Sequence, residues 1–184
     1  MGLRSAVSFA VVVAAGFVAV SGSPSAAASA ASAAEEGTNH CVVIVPDIDT
    51  MRCFPTYAAA RQFVVDLGAL PPSGGDLRTV TYAANYYTLL SVEFSGWFYG
   101  GDSIWFLGTG AWGAACSSST TDIDWELSPM PAGWNNRISS FTGGLCSVRH
   151  YDVANFGAPY VGYSKGEAAI GNGLNNDTTS IRWS

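Results

Sequence analysis

The sequence predicts a mainly β fold, a sandwich or barrel of short strands, preceded by a small hairpin and one helix. Three observations predict it. From Tyr86 onward, short runs rich in β-branched and aromatic residues alternate with glycine turns, and no apolar run of helical period interrupts them. Charged residues make up 12% of the chain and aromatic residues another 12%, with 21 glycines, a balance that suits strands and tight turns better than long surface helices. All four cysteines lie beyond an exportable N-terminus, so disulfides are available to a chain of modest size.

The elements follow in order. Arg4 is a short basic region, Ala6 to Val20 an apolar run, and Ala26-Ala27-Ala28 and Ala31-Ser32-Ala33 offer small-residue cleavage sites. Residues 1–34 thus read as a secretory signal peptide, too short in its apolar core for a membrane span of roughly 20 residues. The exported remainder, an extracellular protein on this reading, is long enough for one real core.

Cys41 to Val45 is a β-branched run, Pro46-Asp47-Ile48-Asp49 is turn material, and Met51 to Phe54 returns as a second strand. Thr56 is a good N-cap, Tyr57 to Leu67 has helical composition, and Gly68 is a natural stop. Residues 35–70 form this hairpin and helix, and the Pro- and Gly-rich stretch within 71–85 is a linker. Beyond it, Tyr87 to Phe94, Ser103 to Leu107, Ile138 to Phe141, Cys146 to Tyr151, Tyr160 to Tyr163 and Thr179 to Trp183 read as strands.

Four cysteines allow three connectivities. The local one, Cys41–Cys53 with Cys116–Cys146, is expected because each pair falls inside one structural unit. The first bridge closes a loop of about a dozen residues, worth ~3 kcal/mol in the chain-entropy model. Zinc is disfavoured, since there is no C-x-x-C pair and His40 and His150 are scattered.

An internal repeat carries the functional reading. Trp134-Asn135-Asn136-Arg137-Ile138-Ser139-Ser140-Phe141 recurs as Leu174-Asn175-Asn176-Asp177-Thr178-Thr179-Ser180-Ile181. Each copy follows a strand with an acidic residue, then an aromatic and a glycine turn: Val92-Glu93 with Phe98-Tyr99-Gly100, and Tyr151-Asp152 with Asn155-Phe156-Gly157. At these residues, over about 87–184, the chain resembles the microbial βγ-crystallins, whose Greek keys open with a Y-E-x-x-N-F-x-G hairpin and close with an [ND]-[ND]-x-x-[ST]-S turn. The resemblance implies a βγ-crystallin-like sandwich over 86–184, two Greek-key motifs (86–141 and 142–184) related by approximate two-fold symmetry. Each key alone would expose an apolar face, lined by Phe94, Trp105 and Phe106 or by Val148, Tyr151 and Trp183, and packing the two together buries both. The chain departs from the family at Ala158, where a glycine with positive φ is usual; Gly157 is the candidate to take over, or the hairpin is strained.

Calcium takes about 6 to 8 oxygen ligands. The resemblance implies that each turn offers the carbonyl of its third position and the hydroxyl of its fifth, namely Arg137 with Ser139 and Asp177 with Thr179. Asn135, Asn136, Asn175 and Asn176 would order the loops and contribute oxygen, and the partner key would supply an oxygen near Glu93 or Asp152. Neutral Asn at all four leading positions, and the cation of Arg137, predict weak sites of about 10⁻⁵ to 10⁻³ M, the second stronger through Asp177. The competing reading is that Asn caps each turn and Ser or Thr bonds the backbone, without an ion.

The formal net charge of −6 repels phosphate and argues against nucleic acid and anionic membranes as partners; no membrane partner is expected once the signal is removed. No G-x-S-x-G elbow, H-E-x-x-H helix or phosphate loop is present, and Ser117 to Ser119 have no base nearby in sequence. His150 reads as packed or surface, and the alternating Asp122, Asp124 and Glu126 as a solvated acidic face. The expectation is a non-enzymatic calcium-binding module. The alternative is a secreted protease inhibitor, since small bacterial metalloproteinase inhibitors share this sandwich, with the 114–130 insertion anchored by Cys116 as its exposed loop.

Overall fold

The computed structural model describes residues 39–70, 87–110, 116–117, 121–171 and 173–184. The expected signal peptide, the expected linker and part of the 114–130 insertion fall outside the described residues.

The first element is an antiparallel hairpin, β1 (His40–Val45) and β2 (Asp47–Phe54), in which Cys41 sits opposite Cys53 and is bridged to it. The turn is tighter than the sequence suggests, because Asp47 already belongs to β2. Helix α1 (Tyr57–Asp66) follows; the Thr56 hydroxyl accepts from the Ala59 N–H, and Gly68 ends the helix at φ 76°.

Two four-stranded keys come next. The first is β3 (Tyr87–Phe94), β4 (Ser103–Thr109), β5 (Trp125–Leu127) and β6 (Ser140–Gly143). The second is β7 (Val148–Val153), β8 (Gly157–Tyr160), β9 (Gly166–Glu167) and β10 (Ser180–Trp183). The sheet orders are β2-β1-β4-β3-β6-β9 and β5-β10-β7-β8. Each key therefore lends its third strand to the other sheet: β9 pairs with β6 and β5 with β10. The front hairpin is not a separate appendage, since β1 lies parallel to β4 and extends the first sheet.

Several strands differ in register from the sequence reading. β6 starts at Ser140 rather than Ile138, because Asn136 takes a left-handed backbone (φ 58°) and holds the residues after it in the closing turn. β8 lies at Gly157–Tyr160, ahead of the expected Tyr160–Tyr163, because the hairpin before it turns within only three residues. Neither Gly157 nor Ala158 carries the positive φ of that hairpin. Asn155 (φ 58°) and Phe156 (φ 64°) do, and Gly157 is needed for space, since a Cβ there would lie 2.2 Å from Val153 Cγ2.

Two cores result. Between the sheets lie Val43, Phe106, Phe141, Val148, Ile181 and Trp183, with Trp134 and Leu174 closing the ends. On the other face of the first sheet, Phe94 and Trp105 pack with Val92 and Leu107 beneath Ala60 and Val64 of α1. Phe94 and Trp105 were expected on the inter-sheet face beside Phe106. Adjacent strand residues point to opposite faces, so Trp105 and Phe106 cannot share one, and α1 covers what the second sheet does not. A bulge at Leu90 shifts the β3 register and turns Ser91 and Glu93 into the sandwich. Tyr151 also departs from expectation: its ring lies against Phe156 and Tyr160 rather than in the inter-sheet core. The second disulfide joins Cys116 to Cys146, tying the 114–130 segment to the start of the second key.

Candidate functional site: the paired Asn-Asn turns

The two repeat turns meet at the sandwich interface and bond to each other reciprocally. The Ser139 hydroxyl donates to Asn176 Oδ1 (2.9 Å), and the Thr179 hydroxyl donates to Asn136 Oδ1 (3.0 Å). The backbones repeat the exchange, with the Asn136 N–H on the Thr178 carbonyl (2.9 Å) and the Asn176 N–H on the Ile138 carbonyl (2.8 Å). Asn136 and Asn176 both sit in the left-handed region, at φ 58° and 61°. Asn tolerates that conformation better than most residues, which accounts for its presence at the second position of both turns.

The last serine of each repeat clamps its own key's opening hairpin. The Ser140 hydroxyl donates to the Gly96 carbonyl (2.6 Å) and accepts from the Tyr99 N–H (3.0 Å). The Ser180 hydroxyl donates to the Val153 carbonyl (2.8 Å) and accepts from the Phe156 N–H (3.2 Å). Sequence reasoning saw this serine in the repeat and gave it no role; its recurrence in both copies was the available signal.

The remaining candidates divide. Asn175 Oδ1 accepts from the Trp97 indole N–H at 2.9 Å, so it anchors the first hairpin to the second turn. Asn135 and Asp177 are exposed. Arg137 is committed elsewhere: its guanidinium pairs with the Asp102 carboxylate, donates to the Gly133 carbonyl and lies over the Trp134 ring. Asp102, unremarked in the sequence, is the partner that consumes this cation. Asp152 is half-buried on β7 and takes no part in the reciprocal bonds.

Glu93, expected to mark a partner-key oxygen for calcium, does not face either turn. Its side chain is fully buried between the sheets, accepts from the Ser91 hydroxyl (2.6 Å) and lies 2.9 Å from His150 Nε2. His150 is thus a core residue with a carboxylate partner.

The chemistry of the turns is that of neutral oxygens. Hydroxyls and amide oxygens from opposite keys stand within 3.0 Å of each other, which suits a hard cation in kind. They supply no formal charge, and among the described residues no group of three or more His, Cys, Asp or Glu is placed to hold a metal. The donor set therefore fits calcium weakly, with Asp177 the nearest carboxylate in sequence. Both disulfides are compatible with an extracellular protein, and among the described residues no helix is long and apolar enough to cross a membrane.

No protein-family model and no curated protein matches the sequence. Solved structures do match. A βγ-crystallin from an archaeon is 18% identical, with a TM-score of 0.35, and the match covers 52% of this chain and 98% of that one. A mutant βγ-crystallin domain from Clostridium beijerinckii is also 18% identical, with a TM-score of 0.33, over 51% of this chain and 95% of that one. On its own strand order, exchanged third strands and reciprocal Asn-Asn turns, the chain has a mainly β, βγ-crystallin-like fold.

Proposed function

We propose that the chain is a secreted, non-enzymatic module whose paired Asn-Asn turns form a clasp between the two keys, tightened weakly by calcium. The reciprocal bonding of Ser139 to Asn176 and of Thr179 to Asn136 supports this reading. Any ion held by these oxygens bridges both keys and resists their separation. The carbonyls of Arg137 and Asp177, the hydroxyls of Ser139 and Thr179 and the amide oxygens of Asn136 and Asn176 would hold it, and it would draw oxygens of both keys onto one centre. Affinity of about 10⁻⁵ to 10⁻³ M is expected of so few charged ligands.

The test is thermal unfolding of the exported chain in EDTA and in millimolar calcium, with magnesium as control. Ligand at ten times its dissociation constant adds about 1.4 kcal/mol, roughly 3–6 °C here. That rise should appear with calcium and vanish in the Ser139→Ala/Thr179→Ala variant. An unchanged melting temperature in wild type means that the turns are purely structural.

A further inference from the structure

The two keys contain an internal control. Their opening hairpins have the same geometry: Trp97–Tyr99 and Ala154–Phe156 are each a three-residue turn with two left-handed residues, at φ 54° for Phe98 against 58° for Asn155, and 64° for both Tyr99 and Phe156. Tyr99 and Phe156 have matching structural roles, each ring meeting an aromatic of the preceding strand edge-on, Phe94 at 5.7 Å and Tyr151 at 5.6 Å. The other two positions do not match. Where the second hairpin needs only Ala154 and Asn155, the first carries Trp97 and Phe98, 59% and 75% exposed. The fold thus leaves two large apolar side chains in water where alanine and asparagine suffice. One of them occupies a left-handed conformation in which a bulky residue is strained.

The tip is also prepared to lose water. The N–H groups of Gly96, Phe98, Tyr99 and Gly100 donate to the Gly100 carbonyl, the Ala168 carbonyl, the Ser140 hydroxyl and the Trp97 carbonyl. The Gly96 carbonyl accepts from Ser140, and the Trp97 indole N–H is satisfied by Asn175. No residue from Ser95 to Gly101 is charged. In a hydrocarbon environment each backbone polar group must be satisfied internally, and this hairpin meets that condition at every one of those groups.

We infer that the Trp97–Phe98 tip is a membrane-docking wedge that enters the interfacial region of a neutral phospholipid surface. Tryptophan favours that depth, and an uncharged hairpin with most of its N–H groups bonded internally gives up few bonds to water on entering it. The acidity of the chain disfavours anionic lipid, so attachment is apolar rather than charge-driven. The expectation of no membrane partner rested on charge and on the absence of a span, neither of which excludes a wedge.

The experiment is co-sedimentation of the exported chain with phosphatidylcholine vesicles, compared with phosphatidylglycerol vesicles. The comparison protein is Trp97→Ala/Phe98→Asn, which writes the second hairpin's residues into the first. Trp97→Ala also removes the indole bond to Asn175, so the double variant should melt cooperatively but somewhat below wild type. Phe98→Asn alone, which keeps that bond and relieves a left-handed phenylalanine, should melt at or above wild type and also bind more weakly. Wild type should bind phosphatidylcholine and show tryptophan quenching by brominated phosphatidylcholine, and the variant should bind at least tenfold more weakly. Absence of wild-type binding, equal binding by the variant, or binding confined to phosphatidylglycerol overturns the proposal; the first outcome would leave a cleft in another protein as the tip's destination.

Discussion

The Glu93 carboxylate on β3 lies 2.9 Å from His150 Nε2 on β7, and neither side chain has any exposed surface. The pair joins the two sheets through their shared core, with the Trp183 indole N–H on Ser91 and the Ser91 hydroxyl on Glu93 extending it. The His150 ring also packs on Phe141 at 4.5 Å.

Breaking such a pair from one side leaves a buried polar group without its partner. His150→Leu should cost about 3–5 kcal/mol, read as a lower urea midpoint at unchanged slope. Glu93→Leu/His150→Leu should lose less than the two single changes together, because neither partner is then stranded. Additive losses would mean that the two side chains contribute independently.

The left-handed turns give a second test. Asn136→Ala removes the acceptor of the Thr179 hydroxyl and places alanine at φ 58°. It should destabilise by about 1–3 kcal/mol. Asn136→Gly loses the same bond without the backbone strain and should fall between alanine and wild type in chemical denaturation. Equal losses for the two variants would assign the whole effect to the bond.

Gly144 separates space from flexibility. A Cβ there would lie 2.0 Å from the Leu89 carbonyl oxygen, a backbone atom that cannot swing aside, whereas a Cβ at Gly162 would meet nothing within 4 Å. Gly144→Ala should therefore cost 3 kcal/mol or more, by order of magnitude. Gly162→Ala should stay within about 0.5 kcal/mol of wild type. Melting curves of the two variants decide the matter.

His40 predicts a pH dependence. Burial lowers its pKa from the usual 6.5, and the nearby Asp102 carboxylate opposes that only in part. Its Nδ1 bonds the Ser103 hydroxyl at 2.9 Å, and Tyr57 packs edge-on against the ring. The folded state therefore binds fewer protons than the unfolded one through this window. The stability that neutral His40 contributes is present above pH 6.5 and is lost as pH falls toward its folded value. His40→Gln should flatten that part of the stability–pH curve; an unchanged slope would assign it to other groups.

Local signals were legible in the sequence because they act over a few residues. Thr56 and Gly68 bound α1 through hydrogen bonds and φ, and Cys41 and Cys53 face each other across one short hairpin. The repeat turns were visible because left-handed Asn and a following hydroxyl recur forty residues apart in sequence. The place of Trp183 on a buried apolar face was likewise legible in its strand pattern.

Tertiary structure alone decided which surfaces meet. Alternation along a strand shows that Trp105 and Phe106 face opposite ways; it does not reveal that α1 waits for one and the second sheet for the other. The parallel pairing of β1 with β4 and the exchange of β5 and β9 are contacts between distant segments, set by the burial of whole faces. Glu93 shows the consequence for function. Its place beside a repeat hairpin suggested an ion ligand, and the bulge at Leu90 turned it inward to His150. A sequence states which residues are apolar and where the chain can turn, whereas the partner of a buried carboxylate depends on how two sheets pack.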